Sequence, residues 1–168
     1  APISTEFRYI GCEALKSAQP SVLPASRGQT VLAVYLEDSA AKLRLTLLYG
    51  VLPTVFTRRA ILENCGDTPI SIRKLMSAKT AGEVCGFNLL YSGSHYLSAQ
   101  KSLQGLTRVM HGISPANFNW ELAPGERFET PEAVMAWSDA GFGGITDCFG
   151  RYVNEALIPP YWKNRPRP

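Results

Sequence analysis

The chain has 168 residues, of which 45% are hydrophobic and 18% charged, and 17 Lys and Arg against 14 Asp and Glu leave a net charge of +3. That composition excludes a disordered chain, and so small and scattered a positive balance argues against a nucleic-acid partner. No apolar run approaches the ~18 residues of a membrane helix, so no membrane span is expected.

Taken in chain order, strand signals dominate. The start, Ala1-Pro2-Ile3-Ser4-Thr5, has neither a basic nor an apolar leader region, so no signal peptide is read and a cytoplasmic location is expected. Val31 to Leu36 is apolar, β-branched or aromatic. In Lys42-Leu43-Arg44-Leu45-Thr46-Leu47 the period of two puts Leu43, Leu45 and Leu47 on one face. Val55 to Glu63 reads as a strand with Phe56, Ala60 and Leu62 on one side. Asn64 to Pro69 is a turn, and Ile70-Ser71-Ile72-Arg73 alternates again, which predicts an antiparallel pair with the strand before it.

Glu83 to Tyr91 is a further strand, closed by the turn Ser92-Gly93-Ser94-His95-Tyr96, and Thr107 to Met110 another. Phe118, Trp120 and Leu122 share one strand face, a core-facing pattern. Pro124-Gly125 then predicts a type II turn, because Pro presets φ and Gly accepts a positive one. Ala133 to Ser138 is the final strand. Ile145, Cys148, Phe149, Tyr152, Val153, Ala156 and Leu157 fall on one face of an amphipathic helix. Thr146 is placed to cap it, with Asp147 in its first turn, and Pro159-Pro160 ends it. The expected architecture is all-β: an antiparallel β-sandwich over 1–142, one C-terminal helix over 143–158 and a linker tail over 159–168.

The search for chemistry yields little. Glycoside hydrolysis needs two carboxylates flanking one bond. Glu126, Glu129, Glu132, Asp139 and Asp147 are the candidates, and nothing in their spacing forces two into one cleft, so they read as solvated surface groups. The two histidines, His95 and His111, lie beside no nucleophile elbow. Gly141-Phe142-Gly143-Gly144 precedes a helix but lacks the lysine of a phosphate-binding loop. Cys12, Cys65, Cys85 and Cys148 are too widely spaced for a zinc site; two disulfides or four thiols both remain open. Trp120 and Trp137 sit in alternating strands, which predicts core packing, whereas Trp162 lies past the helix. The tail cluster Lys163, Arg165 and Arg167 reads as a solvated linker. No catalytic, metal or cofactor site is assigned.

Several strings together point to a family. Phe87-Asn88-Leu89-Leu90-Tyr91-Ser92-Gly93 and Thr107 to Pro115 are two of them. A third is Phe118-Asn119-Trp120-Glu121-Leu122-Ala123-Pro124-Gly125-Glu126-Arg127-Phe128-Glu129-Thr130-Pro131-Glu132. With Thr57-Arg58-Arg59, Glu63-Asn64-Cys65-Gly66-Asp67 and Tyr161-Trp162-Lys163, they make a chain that resembles the bacterial α-galactosidases of glycoside hydrolase family 36.

The resemblance implies an N-terminal β-supersandwich domain. It places retaining catalysis, by a nucleophile and an acid/base Asp, in a following (β/α)₈ barrel, and neither Asp has a counterpart among these residues. It also implies a longer segment where Lys79-Thr80-Ala81-Gly82 joins the strand of Ser71–Ala78 to that of Glu83–Tyr91, so an incomplete sandwich with unpaired edges is expected. The expected role is therefore non-catalytic: bracing the barrel of an enzyme acting on α-galactosides and building a homo-oligomer. The alternative is a free-standing carbohydrate-binding module.

Overall fold

The computed structural model describes residues 5–16, 21–27, 30–72, 77–79 (backbone), 84–163 and 165. The main sheet is antiparallel. It runs β1 (Arg8–Leu15), β2 (Thr30–Asp38), β3 (Leu43–Val51), β4 (Phe56–Asn64), β12 (Ala133–Ser138), β7 (Val84–Leu89), with β11 (Arg127–Glu129) also on β4. A second layer consists of two small sheets. One pairs β5 (Ile70–Ile72) with β10 (Trp120–Leu122); the other orders β6 (Ser77–Lys79), β9 (Thr107–Ile113) and β8 (His95–Lys101). An antiparallel β-sandwich with a C-terminal helix is what the patterning predicts.

The core lies where the layers meet. Leu43, Leu62 and Phe128 of the main sheet close against Ile72 and Leu122 of the small one, with Ile113 and Phe118 packed around them. Leu122 is fully buried; Leu43 is buried in the same cluster, Leu45 packs against it and Leu47 is half-buried, so the period-two reading of these three as one inward face holds.

The segment after β4 does not fold back on it. Ile70–Ile72 pairs with Trp120–Leu122 instead, because β11 and β12 already occupy the free edge of β4. Asn64 carries the chain between layers. Its side-chain amide donates to the Thr68 and Leu122 carbonyls at 2.9 Å each, and its Oδ1 accepts from Gly66 N–H at 2.9 Å. The Pro-Gly turn is a corner of the sandwich in the same way. Glu126 N–H donates to the Ala123 carbonyl at 3.1 Å with Gly125 at φ 78, yet the strands on its two sides belong to different layers.

Between β11 and β12 the chain carries one extra residue. Glu129 faces Ile61, but Ala133 faces Arg58. At this bulge Thr130 exchanges two bonds with Ala60, from its own N–H and through its Oγ1, each 2.9 Å. The extra residue reverses the alternation, so Glu129 and Glu132 point to the same side of the sheet.

That side is covered by α1 (Gly141–Tyr152) and a π turn (Val153–Leu157). Tyr152 and Ala156 are buried against Val55, Val134 and Ala136, with Ile145, Cys148 and Phe149 alongside, as the helical spacing predicts. Val153 is exposed, because the wider turn shifts the phase; Ile158 N–H reaches the Val153 carbonyl, five residues back, at 2.9 Å. Ile158 is extended before Pro159-Pro160, which ends the helix. Close approach needs Gly86: a Cβ there would lie 2.5 Å from Phe149 Cε2.

The helix begins earlier than its spacing suggests. It starts at Gly141, no side chain caps it, and Thr146 Oγ1 donates back to the Phe142 carbonyl at 3.0 Å rather than capping. Strands Arg8–Leu15 and His95–Lys101 carry no clear apolar alternation and are mostly exposed, so pairing alone defines them; His95 opens a strand instead of sitting in a turn.

Candidate functional site

Side chains capable of chemistry gather in three places. The first is a buried polar strap beneath the helix. Residues 21–27 cross the covered face of the main sheet, and Ser26 donates to Glu132 through both its N–H, at 3.1 Å, and its hydroxyl. Ser26 Oγ also lies 2.7 Å from the Tyr152 hydroxyl, and burial pushes the Tyr152 phenol well above its ordinary range. Nearby, Arg59 pairs with Glu129 at 2.5 Å, while Ser21 Oγ donates to Glu129 at 2.6 Å. Arg59 and Glu132 are each 2% exposed.

These facts correct the reading of Glu129 and Glu132 as solvated surface groups. Glu129 faces inward from β11 and the bulge turns Glu132 to the same side; Glu129 is bound by Arg59 and the Ser21 hydroxyl, and Glu132 by the Ser26 N–H and hydroxyl, which hold the chain crossing above. Glu126 does lie at the surface and closes its own turn, accepting from Ala123 N–H at 3.1 Å. Asp139 and Asp147 are exposed at the start of the helical region. The five carboxylates therefore share no cleft. The sequence reading missed Arg59, and its signal was a pair of arginines, Arg58 and Arg59, inside an otherwise apolar strand.

The second place is a cavity of about 120 Å³ between the main sheet and β9. Leu45, Leu47, Phe118 and Phe128 form apolar walls, and Arg58, Arg59, His111 and Thr130 supply the polar side chains. His111 is 7% exposed and its Nδ1 has no hydrogen-bond partner. Burial, then the neighbouring His95 ring at 5.7 Å, hold the His111 imidazole below its ordinary pKa of 6.5. Arg58 stacks over the Tyr49 ring at 5.3 Å.

The third is a set of exposed aromatics. Trp120 and Trp137 are 47% and 49% exposed, which corrects their assignment to the core. Trp120 lies at the rim of the small sheet, tilted on Phe128 at 5.6 Å. Trp137 shares a sheet face with Phe56, which is exposed as well, because the second layer stops short of that end of β4 and β12. Trp162 lies in α2 (Pro160–Lys163), in edge contact with Tyr161, and Arg165 stacks over Tyr161 at 3.8 Å. The four cysteines are unpaired. No helix among the described residues is long and apolar enough to cross a membrane.

The sequence model of the Glycosyl hydrolase family 36 N-terminal domain matches residues 2–81 and 78–123. The chain belongs to this family. The two matched pieces overlap at 78–81, where the connection is expected to be short.

Among curated relatives, alpha-galactosidase C of Emericella nidulans is 38% identical over 92 residues, which are 55% of this chain and 12% of that protein. Alpha-galactosidase AgaA of Geobacillus stearothermophilus is 39% identical over 87 residues, 52% of this chain and 12% of that protein. The crystal structure of a variant of AgaA in complex with 1-deoxygalactonojirimycin superposes with a TM-score of 0.89 at 25% identity. That likeness covers 99% of this chain but 33% of the solved one. The alpha-galactosidase of Lactobacillus brevis shares the fold, with a TM-score of 0.88 at 20% identity, over 98% of this chain and 31% of that one. The chain thus spans about an eighth of its curated relatives' length and a third of the solved chains.

Proposed function

We propose that this chain is the accessory β-sandwich of an α-galactosidase that hydrolyses terminal α-galactosides, with the catalytic carboxylates supplied outside these residues. The carrying observation is the asymmetry of the match: nearly all of this chain superposes on one third of AgaA. The placement of the carboxylates supports it, since Glu129 and Glu132 serve buried structural contacts. In this reading 1–142 forms the sandwich, 143–158 the helix that braces it, and 159–168 the lead into a catalytic barrel. The exposed Tyr161 and Trp162 are the contacts offered to that barrel. Assembly into a homo-oligomer is part of the same proposal, since the sheet edges at β1 and β7 carry no further strand among the described residues. Hydrolysis of 4-nitrophenyl α-galactoside by the purified chain is the test. No turnover is expected, and sustained turnover overturns the reading.

A second reading is favoured by the exposure of Trp120 and Trp137: a carbohydrate-binding module in which sugar stacks on these rings. Calorimetric titration with galactose and with raffinose separates the two. Saturable heat, lost in Trp137→Ala, supports the binding module; absence of heat leaves the accessory role.

A further inference from the structure

We propose that the β8–β9 hairpin of one copy of this chain docks on the start of α1 of a second copy, through opposite charges around exposed apolar anchors. This rests on the homo-oligomer part of the proposed function and not on the galactosidase role. The hairpin is an arm with an apolar tip. Leu103 in its turn is fully exposed, and Leu106 is 41% exposed. Ser102 N–H donates to the Leu106 carbonyl at 2.7 Å and Gly105 N–H to the Ser102 carbonyl at 3.0 Å. Leu106 N–H also donates to Ser102 Oγ at 3.1 Å. A side chain presented by a turn already fixed in this way loses little freedom on binding. Behind the tip, Lys101 faces Thr107 and Arg108 faces Gln100, so the two cations stand on opposite faces of the arm. Both are exposed, and no Asp or Glu occurs from Val84 to Trp120.

The start of α1 has the opposite character. Phe142 is 82% exposed there, and Asp139 before it and Asp147 after it are exposed as well. No Lys or Arg occurs from Phe128 to Gly150; the first cation, Arg151, stands one helical turn beyond Asp147. Glu129 and Glu132 in this stretch are turned inward, so Asp139 and Asp147 carry its surface charge. The entry to the helix is held by Ala140 N–H, which donates to Ser138 Oγ at 3.0 Å. Lys101, Arg108, Asp139 and Asp147 make no ion pair among the described residues. Arm and helix start are thus complementary in charge, each carries an apolar anchor, and both belong to this chain, so a second copy supplies the partner of each. Made reciprocally about a two-fold axis, the contact occurs twice and closes.

The test is sedentation equilibrium of the full chain at low and high salt, with variants at exposed positions only. The chain is expected to exceed its monomer mass of 18.4 kDa as concentration rises, and to dissociate as salt screens the charges. Lys101→Glu with Arg108→Glu should weaken association more than tenfold, and so should Asp139→Lys with Asp147→Lys, because each sets like charges against each other. Leu103→Ser should weaken it about tenfold through loss of the anchor. An equimolar mixture of the two charge-reversed proteins should associate again, since every arm then finds an oppositely charged helix start. A chain that stays monomeric overturns this contact together with self-assembly of the chain. Association that ignores both charge reversals, or a mixture that does not recover it, overturns this contact alone and leaves the homo-oligomer reading in place.

Discussion

The two faces of the main sheet are finished differently. One is sealed: α1, the π turn and residues 21–27 lie over it, and even its charged groups are met, Glu129 and Glu132 by Ser21 and Ser26 of the covering segment and Arg59 by Glu129. The other is covered only in part. Leu43, Leu62 and Phe128 are buried there, but Leu32, Tyr49, Val51, Phe56 and Trp137 stand exposed on the same face. The register shows that these exposed residues are neighbours, since Leu32 faces Tyr49, Val51 faces Phe56, and Phe56 faces Met135. The same strand type thus gives core or surface according to what lies above it. What separates the faces is the reach of the second layer, not the hydrophobicity of the strands.

The contrast breaks most severely at Arg59. Arg59→Ala should strand Glu129 under the strap and cost about 3–5 kcal/mol, seen as a large fall in the urea midpoint. If the loss is under about 1 kcal/mol, the sealed face does not depend on its ion pair. On the other face, Leu122→Ala should cost about 2–5 kcal/mol, because its side chain is fully enclosed between the layers.

Smaller effects sharpen the comparison. Gly86→Ala adds a Cβ 2.5 Å from Phe149 and 2.7 Å from Ile145 Cγ2, which should lift the helix and cost about 1–3 kcal/mol in thermal unfolding.

Acid should weaken the fold at His111. Its folded pKa lies below the unfolded 6.5, so between the two values the unfolded chain binds more protons and stability rises with pH. Melting temperature should therefore fall as pH drops below about 6.5, and His111→Gln should flatten that part of the profile. A variant that keeps the full slope would place the effect elsewhere. Least of all, Phe56→Ser should change stability by no more than about 0.5 kcal/mol while raising solubility, since this ring lies on the uncovered part of the sheet.

Legibility followed the strength of local pattern. Leu43, Leu45 and Leu47 declared their strand by alternation, and Gly125 declared its turn by the positive φ that Pro-Gly invites. The helix face from Ile145 to Leu157 was readable apart from Val153, which the π turn displaced. Strands β1 and β8 were silent, because an edge strand with mostly exposed side chains needs no apolar period. Trp120 and Trp137 misled for a related reason: alternation names a face but not whether anything covers it. Of the cavity, His111 and the aromatic string were visible as residues, but their convergence with Arg58 was not.

The sequence by itself determined the sandwich class, the turn at Pro124-Gly125, the helix and, through its combined strings, the family. These rest on local backbone preference and on periodicity, which neighbours in the chain suffice to express. Only the tertiary structure decided that Ile70–Ile72 joins Trp120–Leu122 in a second layer. It alone decided that one extra residue near Pro131 turns Glu132 inward beside Glu129, and that part of an apolar face stays open. Strand partners, bulge phase and burial are set by which distant segment reaches a given edge or face first. That competition is between parts of the chain far apart in sequence.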